Sequence, residues 1–189
     1  QSAAHFNPAL TIGLAIAGLF PWSMVLGYIV AQMCGGFVGA IIVYLVFKDQ
    51  FKLTEDTFGE DSVGTCRGTF CTGPAIRNLA QNVVGEFAAT FFLVFFIVCI
   101  TPTAGTVGLN YFFVFSIIMC CGFSLGSTTG FAMNPARDTA PRLAYFLLPF
   151  KYKDADWAYA WVPIVGPILG SACGALLGSL VTSWPALSI

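Results

Sequence analysis

Four stretches of the chain, residues 24–47, 79–100, 109–125 and 157–182, are almost continuously apolar. A helix needs about 20 such residues to cross the hydrocarbon core of a bilayer, so each predicts a spanning helix, the third being the shortest. The stretches between them are polar or mixed. Residues 48–78 are rich in charge, Gly and Thr and predict a connecting loop. Residues 101–108 predict a short uncharged connection, and residues 126–156 hold several charges.

Two further apolar segments, residues 8–20 and 135–146, are too short to span. Each opens on the same word, Asn7-Pro8-Ala9 and Asn134-Pro135-Ala136. Asn is a good N-cap and Pro is favoured at the first helical position, so each word marks a helix start. A short apolar helix with a polar start predicts a segment that enters the membrane and stops part of the way through. After the first word comes Gln32-x-x-Gly35-x-x-x-Gly39-Ala40; after the second comes Pro167-x-x-Gly170-x-x-x-Gly174-Ala175. Both echoes carry small residues four apart, which let membrane helices approach closely. The chain therefore reads as an internal repeat. The second copy has two spanning runs before its Asn-Pro-Ala word and the first has none, so two more spanning helices are expected upstream of Gln1.

Composition agrees with lipid as the solvent. Hydrophobic residues make up 57% of the 189 residues and charged residues 9%, against about 25% charged in a soluble domain. A net charge of −1 offers no basic field for nucleic acid. Five of the seven cysteines (Cys34, Cys99, Cys120, Cys121, Cys173) lie in apolar runs and act as small hydrophobes; Cys66 and Cys71 share a polar stretch and could pair. His5, the one histidine, has no Cys or His cluster around it, so no metal, no cofactor and no enzyme chemistry is expected.

His5-Phe6-Asn7-Pro8-Ala9 and Gly130-Phe131-Ala132-Met133-Asn134-Pro135-Ala136-Arg137-Asp138 resemble the two signature motifs of the major intrinsic proteins, and the likeness runs over essentially the whole chain. Asp138, directly after Arg137, is similar to the glycerol-conducting branch, with a nearer likeness to bacterial glycerol facilitators. The resemblance implies an all-α membrane protein. Its fold would be an aquaporin-like right-handed helical bundle with inverted repeats, here four spanning helices and two half-helices that meet at their N-termini. The chain would form one channel domain, with residues 1–47 the remainder of the first repeat, 48–78 the connection and 79–189 the second repeat. The implied function is a passive, multi-pass plasma-membrane channel for glycerol, water and other small neutral solutes, closed to ions and protons and assembled as a homotetramer.

Physical chemistry says what such residues would do. Two helix N-termini, each with roughly half a positive charge, repel cations where they face each other. Asn7 and Asn134 would donate to passing hydroxyls, and unwound carbonyls at Ala4, His5, Phe6, Gly130, Ala132 and Met133 would line the path. By resemblance Arg137, Phe131 and Gly122 form the narrow filter, Gly122 standing where water-selective relatives carry a bulky His; a helix-packing glycine is the plain alternative. Glu86 is the one acid deep in a spanning run. An unpaired buried carboxylate is costly, so Glu86 is expected to brace the second half-helix by accepting backbone N–H groups, with Gln32 and Asp138 as further structural support. Arg142 leaves its place open, the lipid headgroups being the simple choice. All eight Lys and Arg lie in 48–78 and 126–156. A charge count would set both regions in the cytoplasm, whereas the resemblance sets them outside; the motif pattern is followed here. An inverted-repeat secondary transporter is the alternative function, but it would need ionisable groups at a midplane site, where only Glu86 qualifies.

Overall fold

The computed structural model describes residues 5–106 and 108–183. Eight α-helices follow in order: α1 (Pro8–Ile16), α2 (Trp22–Val46), α3 (Lys48–Phe58), α4 (Ser62–Phe70), α5 (Leu79–Thr106), α6 (Asn110–Leu125), α7 (Pro135–Leu147) and α8 (Val162–Ser183). No strand occurs among the described residues. The helices α2, α5 and α8, and α6 together with the 3-10 turn that extends it to Thr128, give four segments long and apolar enough to cross a membrane, and the protein is a multi-pass membrane protein. The short helices α1 and α7 begin at the two Asn-Pro-Ala words.

Besides α8, which begins at Val162 rather than 157, three boundaries differ from expectation. First, α1 stops at Ile16 rather than running to 20. Gly18 takes the left-handed conformation (φ 74), and the Leu19 N–H closes back on the Leu14 carbonyl at 2.8 Å, a glycine-terminated helix end. Second, α5 continues to Thr106, into the connection expected at 101–108; hydropathy marks where the apolar run ends, not where the helix does. Third, the stretch 48–78 is not a plain loop but carries α3 and α4. The charges of α3 face outward around one buried anchor, Phe51, which packs with Phe70, Tyr145, Phe150 and Tyr44 in a single aromatic cluster. One apolar anchor among polar residues is too little to register as a hydrophobic run.

The two cation-bearing regions meet at one end of the bundle. Arg67 pairs with Asp154 at 3.3 Å and Arg77 with Asp156 at 2.5 Å. The Glu55 carboxylate accepts the backbone N–H groups of Lys151 and Tyr152 at 2.8 and 3.0 Å. Cys66 and Cys71 are both free thiols.

The most extensive helix pairing among the described residues is between α5 and α8. A methyl group at Gly170 would overlap the carbonyl oxygen of Phe87, and one at Gly174 would come to 2.5 Å from the carbonyl of Phe91. In lipid, helices associate through such close contact rather than through a hydrophobic effect. Gly170→Ala is therefore expected to destabilise the protein by about 1–3 kcal/mol through overpacking. Gly64→Ala in α4, where an added methyl meets nothing within 4 Å, should be neutral. Thermal unfolding of both variants in detergent checks the contrast; equal midpoints would remove the packing claim.

Candidate functional site

The site is built where α1 and α7 begin. Asn7 and Asn134 both hold extended backbone (φ −146 and −160), with Pro8 and Pro135 next in line. Each side-chain oxygen caps its own helix: Asn7 Oδ1 accepts from the N–H groups of Ala9 (2.9 Å) and Leu10 (3.4 Å), and Asn134 Oδ1 from those of Ala136 (3.0 Å) and Arg137 (3.3 Å). Each side-chain nitrogen crosses to the other half. Asn7 Nδ2 donates to the Met133 carbonyl at 2.7 Å, and Asn134 Nδ2 to the Phe6 carbonyl at 2.8 Å. The two helix starts are thus tied together, N-terminus to N-terminus, as a reciprocal pair. One amide hydrogen of each Asn is spent on this tie, which the sequence did not reveal.

The chain on the approach to α7 is wound the wrong way for ordinary L-residues. Gly130, Phe131 and Met133 have φ of 83, 64 and 49. Glycine adopts such angles without penalty, while a side chain there costs roughly 1–3 kcal/mol. Glu86, fully buried on α5, helps hold this backbone by accepting the N–H groups of Met133 (2.7 Å) and Ala132 (3.3 Å). On the other half, Gln32 Nε2 donates to the His5 carbonyl at 2.7 Å and to Thr11 Oγ1 at 3.0 Å. The carbonyls of His5, Phe6 and Met133 therefore each carry one protein donor and keep a second lone pair. Ala4 lies outside the described residues.

A cavity of about 780 Å³ is lined by His5, Phe6, Gln32, Asn134, Ala136 and Arg137, among others. It brings residues of both motifs together. Arg137, in the first turn of α7, is exposed and donates from Nη1 to the Phe70 carbonyl at 3.3 Å. Gly122 and Phe131 stand outside that lining and pack on each other: a methyl at Gly122 would sit 2.8 Å from Cζ and 2.9 Å from Cε2 of Phe131. The room at Gly122 is thus taken by the Phe131 ring, not left directly to a solute.

Arg142 is not at the headgroups. It is fully buried and every N–H of its guanidinium has an acceptor. Nε donates to Asp138 Oδ1 (2.9 Å), Nη2 to Asp138 Oδ2 (2.9 Å) and the Thr72 carbonyl (2.8 Å), and Nη1 to the carbonyls of Ala155 (2.7 Å) and Asp156 (3.1 Å). Asp138 Oδ2 also accepts the N–H and the hydroxyl of Thr72, both at 2.7 Å. Removing one partner of such a buried pair costs about 3–5 kcal/mol. Beside it, burial pushes the Cys71 thiol up to about 11, so the cluster gains no thiolate. The only sequence cue to this cluster was the four-residue spacing of Asp138 and Arg142, which places them on one helix face; their partners are remote in the chain.

The family description "Major intrinsic protein" matches residues 1–178. Among curated relatives, a protein named glycerol uptake facilitator protein 3 from Lactiplantibacillus plantarum is 46% identical over 178 residues, covering 94% of this chain and 72% of that protein. A glycerol uptake facilitator protein from Streptococcus pneumoniae is 44% identical over 180 residues, covering 95% of this chain and 74% of that protein. Among solved structures, the aquaglyceroporin from Plasmodium falciparum superposes with a TM-score of 0.78 at 28% identity, covering 96% of this chain and 74% of that one.

Proposed function

The chain belongs to the major intrinsic protein family, with an aquaporin-like helical bundle, and on that basis we propose that it forms a passive membrane channel for glycerol, water and other small neutral solutes. It is not an enzyme. The observation that carries the reading is the reciprocal tie of Asn7 to Met133 and of Asn134 to Phe6, with Arg137 and Asn134 on one cavity. Opposed helix starts put positive potential where solutes pass, and spare amide hydrogens and carbonyl lone pairs suit a hydroxyl that both donates and accepts. A cation meets repulsion there, and that is the proposed basis of ion and proton exclusion.

Glycerol as the solute is supported by the relatives' names and by the Gly122–Phe131 pair. Gly122 leaves room for the flat, apolar Phe131 ring in the turn before α7, and on this reading that ring and the polar Arg137 suit a molecule with a carbon edge and a hydroxyl edge. The proposal includes the bacterial plasma membrane and a homotetramer, in which the apolar faces of α2 at Leu26, Val30, Ile42 and Leu45, all exposed in the single chain, meet lipid or a neighbouring copy. An ion-coupled carrier would need a titrating group at midplane, and both oxygens of Glu86 are committed to backbone donors.

The test is glycerol uptake into proteoliposomes of the full-length protein as external glycerol is raised. A channel gives flux that rises linearly without saturation and needs no ion gradient. Saturation in the low millimolar range together with gradient dependence would replace the channel with a carrier.

A further inference from the structure

Resting on the channel reading above, we propose that Asp138 and Arg142 are positioning residues for Arg137, acting through the segment 70–75. Four contacts converge on that segment. The Phe70 carbonyl accepts from Arg137 Nη1 at 3.3 Å. Two residues on, Thr72 is gripped at three points, its N–H and hydroxyl by Asp138 and its carbonyl by Arg142. Next, Gly73 and Thr72 pack so closely under Gly130 that a methyl there would come to 3.1 Å from the Gly73 carbonyl and 3.2 Å from Thr72 Cβ. Last, the Ala75 N–H donates to the Thr128 carbonyl at 3.2 Å. The segment thus touches both Arg137 and the start of the unwound stretch that carries Phe131.

The geometry explains why an arginine is needed at 142. Its planar fork reaches three chain segments at once: its own helix through Asp138, the segment 70–75 through Thr72, and the turn at 155–156. A lysine has three donors on a flexible stem and no fork to hold two loops in register. The negative charge of Asp138 is held by Arg142 and Thr72 and is fully buried, so it does not offset the charge of Arg137 at the cavity. The clamp therefore fixes where the Phe70 carbonyl stands, and the carbonyl fixes which of the remaining Arg137 donors are free for a solute.

A role in stability alone and a role in positioning give different readouts. Loss of stability lowers the number of working channels and scales every flux together. Loss of position changes one solute against another. The experiment is stopped-flow light scattering on proteoliposomes of the full-length protein, comparing wild type with the doubly neutralised Asp138→Asn/Arg142→Met and with Thr72→Val. The Thr72 variant keeps the ion pair and removes only the hydroxyl bond, so it holds the test open if the double variant does not fold. We expect the glycerol-to-water permeability ratio to fall about fivefold in the double variant, the worth of roughly one net hydrogen bond, and in the same direction but less in Thr72→Val. Fluxes that drop in proportion, or a ratio unchanged in Thr72→Val alone where only that variant folds, would overturn the positioning role while wild-type glycerol flux leaves the channel reading standing. A wild-type protein without glycerol flux would overturn the channel reading itself, and this proposal with it.

Discussion

Replacing Arg137 with Val is expected to raise proton or sodium conductance by about tenfold or more while water still passes. Arg137 follows the Asn134-Pro135-Ala136 word, so its charge adds to the positive end of α7. A unit charge about 4 Å from a permeating cation is worth roughly 4 kcal/mol at an effective dielectric of 20, and about 1 kcal/mol in bulk water. Pore water sets the outcome between these limits, and ~1.4 kcal/mol is one factor of ten. The Arg137 side chain lines the cavity and, among the described residues, donates one long bond, to the Phe70 carbonyl, so the substitution leaves little buried polarity unpaired. Voltage-clamped cells expressing the full-length protein give the measurement. Conductance equal to that of the wild type would mean that the opposed helix ends exclude cations without the arginine.

The second large effect is expected at Gly122. Because the Phe131 ring lies 2.8–3.3 Å from where a Cβ would stand, no side chain fits at 122 unless that ring moves. Phe131 is itself held at a strained backbone angle, between residues tied to Glu86 and to the 70–75 segment, so relief has to come from the ring rather than from the backbone. Gly122→His should push the ring towards the path and cut glycerol flux by about tenfold or more, while water, needing less width, keeps most of its flux. Gly122→Ala should lie between the two, since the ring can yield by a few tenths of an ångström. Overpacking will cost roughly 1–3 kcal/mol of stability, so fluxes must be normalised to incorporated protein. If folded Gly122→His retains the wild-type glycerol-to-water ratio, Gly122 serves α6 packing alone.

These expectations rest on features of unequal visibility in the sequence. The helix starts at Pro8 and Pro135 are legible because an Asn cap followed by Pro is a local rule, satisfied within three residues. The spanning helices are legible because lipid demands long apolar runs. Glu86 announces itself through the cost of burying a carboxylate, although nothing nearby says that its donors are the N–H groups of Ala132 and Met133, far along the chain. The helices α3 and α4 are hidden, because Phe51 and Phe70 pack on each other and on Tyr44, Tyr145 and Phe150 from other elements rather than within a periodic run. Arg142 is the sharpest case. Its residue type, long and charged, suits the headgroups, and only the arrival of Thr72, Ala155 and Asp156 from elsewhere turns it into a buried clamp. Gly122 shows the reverse: a small residue next to the filter is readable as room, but what fills the room is a contact between α6 and the stretch before α7.

In the proposed channel, the bond from each Asn side chain to a carbonyl of the other half shapes how the site works. Were both amide hydrogens free, each Asn could swing to follow a solute. With one hydrogen fixed on Met133 or Phe6, each amide is held in a set orientation, and on the proposed reading a solute has to present its oxygens in order as it passes. A neutral polyol can do this; a hydrated cation would have to shed its shell against the positive ends of α1 and α7.

The central claim is therefore a path that conducts a neutral hydroxylated solute and refuses charge at one and the same site. Proteoliposomes of the full-length protein, loaded with a pH-sensitive dye and placed under a proton gradient, allow glycerol and proton fluxes to be followed in a single stopped-flow experiment. Rapid glycerol equilibration with proton entry no faster than in protein-free vesicles is the expected result. Proton entry that rises with the amount of incorporated protein, or glycerol flux no greater than that of bare lipid, would contradict it.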